Sequence, residues 1–274
     1  MAGTSHGHRS SKARPPKSAV DRRRRGRARL VLPILVIGAI ALVCGSAWAS
    51  VRFRTDAPPP APLALGPDER SPALRSPGAG PAQTFAVVGD DYARGVGAGW
   101  AQGWVLRLSD ELCWDLTKAS VQPGSGYIAA LQPGAKPFPE RLDELGTGRP
   151  GVILVQGGAN DYLAPSEVVT AAADTTFKAL KEQHPDARIV AIGPVIVPHR
   201  AEAPELIRVS GALAAAAAAN DVLYVDPVAE QWLADDSMFA GVVPNADGYT
   251  EYTRRLAADL SQGGLTSSCA PPAA

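Results

Sequence analysis

The chain has 274 residues, 20% of them charged, with 27 Lys or Arg balanced by 27 Asp or Glu and only three Cys. That length holds one sizeable domain with appendages. The zero net charge conceals a split: residues 1–29 carry ten Lys or Arg against the single acid Asp21, which leaves 17 basic and 26 acidic residues downstream, a net of −9.

A basic tail invites a nucleic-acid reading, but the next segment argues against it. Leu30 to Ala49, LVLPILVIGAIALVCGSAWA, is twenty residues without a charge, about the length that crosses a bilayer as a helix. The Lys/Arg cluster abutting it predicts a cytoplasmic N-terminus at residues 1–29 and an extracytoplasmic remainder, with no nucleic-acid partner. Ala47-Trp48-Ala49 also fits the small-x-small pattern of a signal-peptidase site, so cleavage before Ser50 is the alternative to a signal anchor. Residues 50–82 contain eight prolines among Ala and Gly and are expected to be a semi-extended linker.

From residue 83 to about 265 strand-like and helix-like patterns alternate, as in a parallel sheet covered by helices on both faces. Strands are predicted at 84–88, 114–119, 151–156, 188–193 and 222–226, and helices at 97–112, 165–183, 203–219 and 247–261. The alanine run Ala212 to Ala219 favours helix and close packing on the sheet. Trp100, Trp104 and Trp114 are expected to pack rather than to form a ligand platform.

Four stretches lie where such a sheet assembles its chemistry, beyond the carboxyl ends of strands. They are Gly89-Asp90-Asp91, Pro123-Gly124-Ser125-Gly126-Tyr127, Gly157-Gly158-Ala159-Asn160-Asp161, and the segment Phe239 to Tyr249, FAGVVPNADGY. Their order and spacing resemble the SGNH, or GDSL, hydrolases over essentially the whole of residues 84–265. The resemblance implies a flavodoxin-like α/β/α sandwich with sheet order 2-1-3-4-5. It also assigns Gly124 and Asn160 as oxyanion-type or ligand-binding donors. At the family's nucleophilic serine stands Asp91, at its catalytic aspartate Ala240, and at its catalytic histidine Val243.

A serine, a histidine to take its proton and an aspartate to orient the histidine act as a unit. With all three positions changed, the expectation is a catalytically silent, membrane-anchored domain that binds a ligand or partner at the old cleft. A sugar, a polyol or another neutral or cationic envelope ligand suits Asp91 better than an anion. The alternative is an active esterase of cell-envelope esters with a rearranged site. Its parts would be Asp91 and, as a displaced base, His199 in the segment Gly193 to Arg200. A third reading is a purely structural ectodomain.

Asp91 has a simpler role available as a helix N-cap. No cofactor or metal is expected, because Asp90, Asp91 and Asp161 are scattered over two loops and form a weak oxygen-ligand set. Cys44 falls in the apolar segment. In the implied sheet order the first and last helices share a face, which brings Cys113 and Cys269 within reach of a disulfide.

Overall fold

The computed structural model describes residues 76–270. The basic tail 1–29, the apolar segment 30–49 with Cys44, and most of the Pro-rich linker lie outside the described residues. No helix among the described residues is long and apolar enough to cross a membrane.

Five parallel strands form the sheet: β1 (Thr84–Gly89), β2 (Asp115–Val121), β3 (Val152–Gln156), β4 (Arg188–Ile192) and β5 (Leu223–Val225). Their order is β2-β1-β3-β4-β5, with β1 paired on both sides, Phe85 opposite Leu116 and Val152. Four helices flank it: α1 (Trp104–Leu112), α2 (Ser166–Gln183), α3 (Ala203–Ala219) and α4 (Ala246–Gln262). A short hairpin, β6 (Phe239–Ala240) with β7 (Val243–Pro244), precedes α4.

Strand alternation divides the core into two layers. On one face Phe85, Val87, Val152 and Leu154 pack with Trp104 and Leu108 of α1 and Tyr252 and Leu256 of α4. On the other, Ala86, Val88, Ile153 and Val155 pack with Phe177 of α2 and Leu213, Ala216 and Ala217 of α3. Burial on both faces is why the central strands read as unbroken apolar runs. Each fully buried Leu, Val or Phe contributes roughly 1.5–3 kcal/mol. The alanines of α3 lack bulk, so this helix sits close to α2 and the sheet.

One predicted element differs. The helix expected from residue 97 begins as a helix only at Trp104; residues 91–98 are turns, followed by a single 3-10 turn at Trp100–Gln102. Gly95, Gly97 and Gly99 all have positive φ, a conformation that does not propagate a right-handed helix. This turn chain leads from the end of β1 to α1.

Cys113 ends α1 and is joined to Cys269 by a disulfide across a sequence separation of 156. Beside it the C-terminal strap is tied down by Ser268 N–H donating to Leu112 O at 2.8 Å and by the Trp114 indole N–H donating to Thr266 O at 3.1 Å. Gly78 N–H donates to Ser268 O and Ala270 N–H to Ser76 O, both at 2.8 Å. Both ends of the described chain therefore meet at one point on the domain. A disulfide closing so long a loop stabilises by roughly 2–5 kcal/mol, mainly through the unfolded chain.

Candidate functional site

The site lies at the carboxyl ends of β1, β3 and β4, and it starts from the residue after Gly89-Asp90. Asp91 does not cap a helix, because the chain after it is a run of turns rather than a helix. Its Oδ2 instead accepts two hydrogen bonds from distant parts of the fold, one from Gly124 N–H at 2.8 Å and one from Asn160 Nδ2 at 2.9 Å. These are the two donors the sequence assigned to an oxyanion, and here a carboxylate oxygen of the chain itself takes both.

The donors are held firmly. Gly124 turns the loop after β2 with φ of 71°, a value that favours glycine. Asn160 also donates from Nδ2 to Ser125 O at 2.8 Å, which fixes its amide against the same loop. The next residue, Asp161, is buried and accepts the N–H groups of Tyr127, Ile128 and Ala129 at 2.9, 3.0 and 2.8 Å. Burial raises its pKa above the ordinary carboxylate value, while those three donors pull it back. A Cβ on Gly126 would sit 2.5 Å from an Asp161 oxygen, so this clamp requires glycine there.

Asp90 has a different environment from its neighbour. It is buried, and its Oδ1 accepts the Tyr92 N–H at 2.9 Å while Oδ2 has no hydrogen-bond partner. Burial first, and then the nearby Asp91, push its pKa up to about 8, with the Tyr92 N–H and the Gln156 side chain opposing. Asp90 and Asp91 thus sit side by side in different surroundings, the first buried with an unpartnered oxygen and the second bonded to Gly124 and Asn160. No cluster of metal-ligating side chains occurs among the described residues.

Beneath the site lies a group that the sequence did not flag. Arg141 is 1% exposed. Its Nη2 donates to Gly89 O at 2.6 Å and to Ser125 Oγ at 3.1 Å, and its Nη1 donates to Ser120 Oγ at 2.6 Å and to Ser120 O. The guanidinium thus ties the end of β1 and the end of β2 to the Gly124 loop. Burial lowers its pKa to about 10. Nothing in the stretch Phe138 to Leu145 marks this arginine as buried, since charged residues there read as loop surface.

Over Asp91 opens a cleft of about 280 Å³. Tyr92, Tyr162, Val195, Val197, Leu206, Val242 and Val243 give it an apolar wall, and Arg200 and Glu202 stand at its rim. The Tyr92 hydroxyl donates to Val242 O at 3.0 Å and so fastens the β6–β7 hairpin beside the cleft. Within that hairpin Ala240 is paired with Val243. Val243 lines the cleft; Ala240 is exposed and does not.

His199 is not among the residues lining the cleft. Its side chain is 87% exposed, and its Nε2 lies 3.6 Å from Asp236 Oδ2. The residue has φ of 57°, and the turn it makes leaves its successor, Arg200, facing the cleft. Among the described residues, no serine, cysteine, lysine or histidine lines this cleft.

The sequence model of the GDSL-like lipase/acylhydrolase family matches residues 87–251, more than half of the chain. No curated protein matches. Among solved structures, the chain is similar to TesA, at 19% identity and a TM-score of 0.54, over 66% of this chain and 99% of that one. It is similar to a carbohydrate esterase family 2 enzyme with a carbohydrate-binding domain from Corynascus thermopiles, at 16% identity and a TM-score of 0.52, over 66% of this chain and 68% of that one. An acetyl xylan esterase from the rumen bacterium Butyrivibrio proteoclasticus is similar at 13% identity and a TM-score of 0.53, over 67% of this chain and 64% of that one. At these identities the likeness is one of fold.

Proposed function

The chain belongs to the GDSL-like lipase/acylhydrolase family, and from that premise we propose that its cleft binds a ligand without hydrolysing it. The single observation that carries this is the pair of hydrogen bonds from Gly124 N–H and Asn160 Nδ2 to Asp91 Oδ2. Ester hydrolysis needs such donors free for the oxygen that becomes negative in the tetrahedral intermediate. A carboxylate already bound to them repels that oxygen and blocks its place. Acyl transfer also needs a nucleophile with a base within hydrogen-bond reach, and among the described residues the cleft is lined by no serine or cysteine nucleophile and no histidine or lysine base. Attack by Asp91 itself on an ester would give an anhydride, whose hydrolysis needs a second group to activate a water.

In this reading residues 30–49 anchor the domain in the cytoplasmic membrane, the basic tail 1–29 stays inside, and the linker carries the cleft outward to envelope ligands. Protease added to intact cells should shave the domain and leave a membrane-bound stub. A soluble product beginning at Ser50 would establish cleavage and replace the anchor.

The full chain should hydrolyse activated aryl esters no faster than buffer does. Hydrolysis that is abolished by both Asp91→Ala and His199→Ala would replace this reading with that of an esterase with a rearranged site.

A further inference from the structure

The cleft carries a charge pattern that narrows what it can hold, and this inference deepens the ligand-binding reading on which it rests. Asp91 uses Oδ2 for its two internal donors. Its Oδ1 accepts no hydrogen bond among the described residues and is not a buried atom, so it is open to the cleft. At the rim, Arg200 is already engaged, its Nη2 donating to Glu202 Oε1 at 3.1 Å. The other Glu202 oxygen, Oε2, is a buried atom and does not face the cleft's open space. The cleft thus presents Asp91 Oδ1 as an acceptor, and its one lining cation, Arg200, is paired with its own neighbour Glu202. A ligand carboxylate placed over Asp91 would be opposed by it.

The walls add a second requirement. Val195, Val197, Leu206 and Val243 make one wall above Asp91 apolar, with no side-chain partner along it for a ligand's hydroxyl groups. Burying several hydroxyls there would leave them unpaired, which disfavours a polyol. A single strong donor attached to an apolar body meets both conditions. The field of the domain acts in the same direction: residues 76–270 contain 13 Lys or Arg and 23 Asp or Glu, a net of −10, which concentrates cations near the surface.

We propose that the cleft is a receptor for an organic ammonium group carrying a short aliphatic substituent, with the ammonium donating to Asp91 Oδ1 and the substituent lying against Val195, Val197, Leu206 and Val243. The nitrogen takes the side of the site that a hydrolase would turn toward an anion, because Asp91 reverses its sign.

The probe is n-butylammonium, titrated calorimetrically into the full chain at low salt, against butyrate, 1-butanol and a cyclic polyol. Butylammonium should bind at one site per chain, with a dissociation constant on the order of millimolar for so small a ligand. Butyrate, butanol and the polyol should bind at least about tenfold more weakly, the difference expected from one charge-assisted hydrogen bond. Asp91→Asn, whose amide oxygen can still accept from Gly124 and Asn160, should weaken butylammonium by about tenfold or more. Val243→Arg leaves Asp91 untouched and places a cation on the wall; it should have the same effect and serves if the first variant fails to fold. Equal binding of butanol or the polyol, no binding of butylammonium, or indifference to both substitutions would overturn the proposal. Ester turnover is measured on the same preparation. Turnover would remove the non-hydrolytic reading, whereas silence toward esters without ammonium binding would remove this inference alone.

Discussion

At the scale of single residues, two adjacent aspartates differ because the fold treats them differently. Asp90 is buried with one oxygen unpartnered, and its pKa is pushed up to about 8. In the unfolded chain the same carboxyl titrates near its ordinary value of 3.8. Between these values the folded state binds a proton that the unfolded state does not, so its contribution to stability is present below about pH 4 and is lost as pH rises to about 8. The melting temperature of the full chain should therefore fall between pH 5 and pH 8. In Asp90→Asn, which keeps an acceptor for Tyr92 N–H, the fall should be shallower by an amount on the order of a few °C. Asp161 and Asp259 also have raised values, but they are common to both proteins, so the difference isolates Asp90; parallel profiles would contradict the assignment. The sequence allowed Asp91 a local role as a helix cap. Its actual partners lie 33 and 69 residues away, and a local pattern carries no information about a bond of that separation.

At the scale of elements, what the sequence shows well is what is periodic. The alternation of apolar runs with amphipathic segments located the five strands of the sheet and three of its four helices to within a few residues, because both faces of the sheet are covered and its central strands are apolar throughout. Where glycines interrupt the pattern, as at Gly95, Gly97 and Gly99, the sequence suggested an early helix and the chain turns instead. The junction of β1, β2 and the Gly124 loop was not legible at all, because it depends on Arg141, a charged residue in an irregular stretch. Its guanidinium satisfies Gly89 O, Ser120 O and two serine hydroxyls in the interior. Arg141→Ala should remove about 3–5 kcal/mol of stability in urea unfolding, by leaving those acceptors buried and unpaired. Arg141→Lys should recover little, since one ammonium cannot span the fork's separate acceptors. A loss below about 1 kcal/mol, no more than an ordinary surface substitution, would contradict this role.

At the scale of the whole molecule, the fold places four separate sequence blocks at one edge of the sheet, and it does so whether or not the chemistry survives. Gly89, Gly124 and Asn160 stand together at that edge, with Asp91 bonded to the last two and Val243 on the wall of the cleft. The central claim is that these side chains, not the scaffold, make the cleft silent. It is tested most directly by rebuilding the reactive groups in place. Ala240 and Val243 are paired across the β6–β7 hairpin, so Ala240→Asp and Val243→His set an acid beside a histidine, and Asp91→Ser releases Gly124 N–H and Asn160 Nδ2. The measurement is the initial rate of aryl-ester hydrolysis by the triple variant, its three single variants and the unmodified chain. The account predicts turnover in the triple variant and rates near buffer in all the others, because the three groups act as a unit. Turnover by the unmodified chain at or above the rate of the triple variant would contradict it.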